Sequence, residues 1–411
     1  MPHEEESNQT SLPASFPVDN APVSKATPPN AQKRGASPLD PSAFIESRST
    51  AQAEFGRFNL AVIGGTGVGK SSLVNAVFGR NLAKTGAGLP VTRGVKYYQD
   101  DSLGIWDIEG FEIGSSVSPR EQLRQHLAEI AKHPADTQIA VVWYCVKAND
   151  ARLTPADIEM IRELDASGLP VMLVLTKVDW DRNPITGARR PVKALAEFMD
   201  WLEHPEDNGT PIDIPYQRVM PTSTMDRDGK GTGHGLGELV EETLALSPER
   251  AKDSFRVAQR LNLPWKREMA RTATKAAVAA AGAAAAVPLP LADAVVLAPI
   301  QLGLMGRIAA IYDLDLTTMM SAAGLAQVGV QFAGRALASS FLKLIPGAGS
   351  VLNAGVASAL TAATGEGWTR LCEQIHTGKL DISKVESSWG AYAPSYLEVV
   401  RGILTQRGTQ R

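Results

Sequence analysis

The run Gly64-Gly65-Thr66-Gly67-Val68-Gly69-Lys70-Ser71 combines residue types suited to one task, the holding of phosphate. It follows the apolar run Phe58 to Ile63 and precedes Ser72-Leu73-Val74-Asn75-Ala76-Val77-Phe78. That order of strand, glycine-rich loop and helix is what a P-loop requires. Glycines let backbone N–H groups turn inward around the β- and γ-phosphates without Cβ clashes, and the new helix adds its positive end at the same point. Lys70 supplies a cation to the β/γ oxygens, and the Ser71 hydroxyl is placed to ligate Mg²⁺. The candidate nucleotide-contacting set is therefore Gly64, Gly65, Thr66, Gly67, Val68, Gly69, Lys70, Ser71 and Ser72. A chance glycine-rich turn would lack the flanking strand and helix.

Kinases, ATPases and GTPases all carry such a loop, so residues further along decide between them. Asp107-Ile108-Glu109-Gly110 closes the apolar strand Leu103-Gly104-Ile105-Trp106. In a DxxG arrangement the Asp holds Mg²⁺ through water and the Gly amide senses the γ-phosphate. Thr176-Lys177-Val178-Asp179 ends a later all-apolar strand. A carboxylate at Asp179 can accept from guanine N1–H and from the exocyclic amine, whereas adenine would leave it unpaired. Lys177 would lay its stem along the purine face. Pro90-Val91-Thr92-Arg93-Gly94 lies between the loop and DxxG, where a Thr hydroxyl must reach Mg²⁺; Thr92 is favoured and Thr85 is its competitor. Met220-Pro221-Thr222-Ser223-Thr224 ends the last strand, where Ser223 would steady the guanine edge. Lys70, Thr92 and Gly110 are the candidate catalytic groups, and Ser71, Thr92 and Asp107 the candidate Mg²⁺ ligands.

These residues need a scaffold, and the patterning supplies one. Between about 55 and 250, strand-length apolar runs (58 to 63, 94 to 99, 103 to 107, 138 to 145, 170 to 176 and 216 to 221) alternate with helical stretches at 119 to 132, 155 to 167 and 191 to 203. Several strands are apolar throughout, as expected when helices cover both faces of a mostly parallel sheet. The fold class read here is α/β, a doubly wound P-loop sheet over 55–250, followed by an all-α domain over 251–411. Residues 1 to 45, rich in Pro, Ser, Ala, Asn and Thr, read as a disordered tail, with no secretory leader at the start.

The C-terminal part changes to Ala, Leu and Gly. Asp293 is the only charged residue between Ala276 and Gly306. Pro288, Pro290, Pro299 and Pro346 interrupt the apolar stretches, so clean bilayer-spanning helices are not expected. Runs ending at Val287-Pro288-Leu289-Pro290 and Ile345-Pro346-Gly347 echo each other as a duplicated helical hairpin would. Trp265-Lys266-Arg267 with Arg271 and Lys275 makes a basic start to this region, readable as a helix flank or as a contact for anionic lipid or RNA. A net charge of −3 gives no global reason to expect nucleic acid. Cys145 and Cys372 lie outside any metal-ligand spacing, as do His126, His133, His204, His234 and His376, and the cysteine usage suits a reducing cytosol. Asp181, Arg182, Arg189 and Arg190 read as a solvated charged loop.

Taken in order, the motifs resemble the GTP-binding domain of the translation-factor-like GTPases, in particular their Era-like and septin- or dynamin-like branches. The residues that carry the likeness are Gly-Val-Gly-Lys-Ser-Ser-Leu-Val-Asn-Ala-Val-Phe-Gly and Pro-Val-Thr-Arg-Gly. The likeness covers about 55 to 250, and the remainder resembles the Ala-rich helical domain of unknown function that bacterial Era-like GTPases often carry. It implies GTP hydrolysis with Mg²⁺ as cofactor and a molecular switch. Three partners follow as expectations: a membrane surface touched through 265–365, a second copy of the chain, and RNA or ribosome. The expected location is cytoplasmic, peripheral at the inner membrane. Phe111 departs from the water-orienting Gln of small signalling GTPases, and implies slow hydrolysis unless a partner or second copy adds a group, with a nucleotide-loaded scaffold of little hydrolysis as the alternative. Glu109 and Glu112 are the nearest carboxylates that could orient water, if the loop rearranges. Gly67 stands where potassium-stimulated relatives have Asn, and Ile108-Glu109 replaces the usual Thr-Pro.

Overall fold

The computed structural model describes residues 42–79, 89–92, 94–109, 117–182, 189–225, 233–286, 293–315 and 350–381. Helix α1 (Ser42–Phe55) precedes strand β1 (Phe58–Gly64) and helix α2 (Lys70–Phe78). Strands β2 (Leu89–Thr92), β3 (Val95–Gln99) and β4 (Leu103–Glu109) follow, then α3 (Pro119–Ile130), β5 (Val141–Lys147), α4 (Pro155–Ala166) and β6 (Val171–Thr176). Two short hairpins, β7 (Trp180–Arg182) with β8 (Arg189–Pro191) and β9 (Glu206–Asp207) with β10 (Thr210–Pro211), flank α5 (Lys193–Glu203). Strand β11 (Arg218–Pro221) and helices α6 (Leu236–Leu246) and α7 (Glu249–Ala258) complete this part.

The sheet order is β11-β6-β5-β1-β4-β3-β2. β1 pairs in parallel with both β4 and β5, and β5, β6 and β11 continue the parallel set. β3 and β2 turn back antiparallel at the edge, with a register irregularity between Pro90 and Thr92. Strand β1 is buried throughout and alternates between two cores. Phe58, Leu60 and Val62 meet α2, α6 and α7, whereas Ala61 and Ile63 join Leu123, Ile161 and Phe198 of α3, α4 and α5. Burial on both faces is why these strands are apolar along their length.

Beyond the sheet, α8 (Leu263–Ala286), α9 (Asp293–Ile311) and α10 (Ser350–His376) pack with α1 around Phe44, Met305, Ile308, Tyr312 and Trp368. Gly306 permits the closest approach: a Cβ there would lie 2.2 Å from the Phe44 carbonyl oxygen. Ser47 Oγ donates to the Gly303 carbonyl at 2.7 Å, and Arg307 holds Glu54 with two hydrogen bonds of 2.6 and 2.9 Å.

Several expectations change here. Helix α1 begins at Ser42, inside the span read as tail; its apolar residues Phe44 and Ala51 belong to a core built 250 residues away, which local pattern does not show. Helix α7 carries Phe255 into the sheet core against Phe58, so the α/β core runs past residue 250. The segment of Asp181, Arg182, Arg189 and Arg190 forms a paired hairpin instead of a plain loop. Lys266 is fully buried: its ammonium donates to the carbonyl of Val257 and, at 3.0 Å, to that of Ile311. It neutralises the ends of α7 and α9, and so leaves the basic face to Arg267, Arg271 and Lys275. No described helix is long and apolar enough to cross a membrane. The echo at 287–290 and 345–347 lies outside the described residues.

Candidate nucleotide site

The sheet's strand order reverses at β1, which has β4 on one side and β5 on the other. Ligands of open α/β sheets bind at such a point, beyond the carboxyl ends of the strands. Gly64 ends β1 with φ of 149°, and a Cβ there would stand 2.3 Å from the Cys145 carbonyl oxygen. Only glycine fits both the backbone and the space. Gly65, Thr66 and Gly67 are exposed, and Ser71 is exposed in the first turn of α2, so the loop's polar groups face open solvent.

Lys70 curls over this loop, its Nζ donating to the Gly64 carbonyl at 2.7 Å. Asp107 stands at the far side of the same small pocket, lined also by Ser71, Asn75 and Tyr98. Asp107 Oδ1 is buried and accepts no hydrogen bond among the described residues, with Lys70 Nζ 3.9 Å away. Burial pushes this carboxyl above its ordinary range, and the Lys70 ammonium opposes the rise. A lone buried carboxylate oxygen beside an exposed hydroxyl is the donor set a hard cation takes, so Ser71 and Asp107 fit Mg²⁺.

The Thr176–Asp179 turn is tied directly to the loop. Thr176 Oγ1 donates to the Val68 carbonyl at 2.6 Å, and Lys177 Nζ to the Gly67 carbonyl at 2.6 Å. Lys177 holds φ of 55°, an uncommon conformation for a side-chain-bearing residue. Asp179 is half-buried and accepts from Asn149 Nδ2 at 3.4 Å. Val178 N–H donates to the Thr222 carbonyl, which brings the next turn alongside. There Ser223 is buried, its backbone pairs with His234 in both directions, and its hydroxyl donates to the Met225 carbonyl at 2.6 Å.

The structure thus gathers Gly64, Lys70, Ser71, Asp107, Thr176, Lys177, Asp179 and Ser223 at one end of the sheet. Thr92 ends β2, its backbone paired with Val95. Gly110, Phe111, Glu112 and Thr85 lie outside the described residues. Glu109 pairs with Lys96 at 2.7 Å, which holds its carboxyl below the usual range. Sequence reading missed Asn149, whose only signal is a polar residue just beyond an apolar strand. Of the histidines, His376 Nδ1 meets the Tyr312 carbonyl at 2.9 Å and His133 stands edge-on to Trp106. No metal-holding cluster of His, Cys, Asp and Glu occurs among the described residues.

Residues 59–177 match a family described as 50S ribosome-binding GTPase, and residues 251–407 match a domain of unknown function, DUF697. A GTPase Der of Syntrophotalea carbinolica is 36% identical over 128 residues, 30% of this chain and 28% of that protein. A probable GTP-binding protein EngB of Oleidesulfovibrio alaskensis is 32% identical over 154 residues, 34% of this chain and 66% of the relative. A GTPase Era of Geobacter metallireducens is 26% identical over 195 residues, 46% of this chain and 55% of the relative. The chain therefore spans from about a quarter to just under two thirds of the length of these curated relatives. A solved EngB-type structure aligns over 46% of this chain and 97% of its own at 19% identity and a TM-score of 0.31. Residues 59–177 thus form a P-loop GTPase domain with relatives among the Era, Der and EngB proteins, and the region after it matches the DUF697 family.

Proposed function

We propose that this protein binds GTP, hydrolyses it with water to GDP and phosphate, and works as a slow molecular switch. The observation that carries the reading is the direct hydrogen bonding of the Thr176–Asp179 turn to the loop at Gly67 and Val68, which couples purine choice to phosphate binding. In this reading the loop amides and Lys70 hold the β- and γ-phosphates, while Lys177 covers the purine and Asp179 selects guanine with Ser223 steadying its edge. Ser71, Thr92 and Asp107 would hold Mg²⁺. When bound, that ion neutralises charge on the phosphate oxygens. Thr92 and Gly110 act on the γ-phosphate side. Hydrolysis rests on electrostatic positioning, with Phe111 supplying no base. The test is nucleotide titration and phosphate release on purified protein. Tight binding of GTP over ATP, lost in Lys70→Ala, supports the reading; equal binding of both nucleotides, or of neither, removes it.

We infer further that the helical part meets a membrane surface from the cytoplasmic side. On α8 the exposed Arg271 and Lys275, beside Arg267 paired with Glu373, give way to the exposed Ala276, Ala279, Ala280 and Ala283, a charged turn followed by an uncharged end. Co-flotation with anionic vesicles at low salt is expected, and its absence with both GDP and a non-hydrolysable GTP analogue would sink this part. The description of the matched family favours a second reading, a ribosome-associated GTPase, tested by co-sedimentation with ribosomal particles.

A further inference from the structure

The two strands that lead to the switch segments form one hairpin. β3 starts three residues after Thr92, and β4 carries Asp107 near its end. Between them lies the turn Asp100-Asp101-Ser102, closed by Asp100 Oδ1 accepting from the amides of Ser102 and Leu103. This turn is five residues from Asp107, about 17 Å along an extended strand. It points away from the nucleotide site and into the helical layer.

What it touches there is specific. Ser102, buried, donates from Oγ to Asp313 Oδ2 at 2.9 Å. Asp313 follows the last turn of α9 with φ of 55°, a left-handed conformation that this bond helps to hold. Gln52 of α1 donates to Asp101 Oδ2 at 2.9 Å. Arg48 of α1 is only 8% exposed and spans both partners. Its Nε donates to the Leu314 carbonyl at 2.9 Å, and its terminal nitrogens stand 3.6 Å from Asp101 and 3.6 Å from Asp315. Helix α1 is itself locked to α9 through Ser47, Glu54 and Gly306, so the tip contacts one body, not a loose flap.

We propose that this tip is the relay between nucleotide state and the helical layer: Arg48, Gln52 and Asp313 grip the far end of the hairpin whose near end carries the switch residues. The inference rests on the GTP-switch reading and names its regulation. A strand is stiff along its length and its register is discrete, so a pull on β3 or β4 at the phosphate end is delivered to the tip. If the grip differs between the GDP and GTP states, then by linkage the grip must bias the choice of nucleotide.

The test uses the full chain. Dissociation constants for GDP and for a non-hydrolysable GTP analogue are measured for wild type, Arg48→Ala, Ser102→Ala and, as a control on an exposed helical pair, Arg370→Ala. Cutting the grip is expected to shift the ratio of the two constants by about fivefold or more, in the same direction for Arg48→Ala and Ser102→Ala, with Arg370→Ala unmoved. Ser102→Ala deletes one hydroxyl and guards against an Arg48 variant that fails to fold. A second readout needs no variant: amide exchange across 42–55 should differ between the two nucleotides. A ratio that stays put in Ser102→Ala overturns the relay, and so does identical exchange in the two nucleotides. Should wild type bind no guanine nucleotide, the switch reading itself falls; binding with an unmoved ratio removes the relay alone.

Discussion

The hydroxyl of Thr176 donates to the carbonyl of Val68 at 2.6 Å, across 108 residues of chain. The residue that opens the turn proposed to recognise guanine is thereby tied to the glycine-rich loop. Thr176→Val keeps the shape and deletes the donor. The bond is already made without nucleotide and a net hydrogen bond is worth about 1 kcal/mol, so the variant should lose about 1 kcal/mol in urea unfolding and also bind GDP more weakly by calorimetric titration.

Asp179→Asn turns one of two acceptor oxygens into a donor aimed at a donor edge of guanine. GTP affinity should fall by roughly a hundredfold while ATP binding barely moves, because a mismatched polar pair is costlier than a missing apolar contact. Competition binding with both nucleotides reads this directly. An unchanged preference would place base selection elsewhere.

Gly64→Ala puts a methyl group 2.3 Å from the Cys145 carbonyl oxygen at a backbone angle that only glycine adopts freely. Loss of about 3 kcal/mol in urea unfolding is expected, along with loss of nucleotide binding.

Lys266→Met keeps the stem of a fully buried side chain and removes the ammonium that two helix ends share. The carbonyls of Val257 and Ile311 would be left without this donor, at a cost of about 2 to 3 kcal/mol in denaturant unfolding. Arg267→Met, on the half-exposed neighbour paired with Glu373, should cost under about 1 kcal/mol.

Glu163 gives the acid limb of stability. Hydrogen bonds from Arg124, then Arg120, lower its carboxyl from 4.5 to about 2 and join α3 to α4. A depressed carboxyl stabilises the fold above pH 4.5, and this contribution is lost as pH falls towards 2. Glu163→Gln should be about 2 kcal/mol less stable than wild type at pH 7, with the gap closing between pH 4.5 and 2 when unfolding is followed by circular dichroism.

The sequence alone specified the α/β sheet and the phosphate loop, because both are local: the all-apolar runs report a sheet covered on two faces, and a Gly-rich loop between strand and helix has one geometry. It also marked Lys70, Asp107, Lys177 and Asp179 as candidates, from strand-end position and side-chain chemistry. Only the tertiary structure decided what holds those pieces in register. Helix α1 reads as an unremarkable polar stretch, yet Arg48 and Phe44 take meaning from α9, some 260 residues away. Lys266 reads as surface charge until two helix ends converge on it. Asn149 gains a role only when Asp179 arrives beside it. In each case the deciding partner is distant in the chain, and a periodicity measured along the chain has no access to that distance.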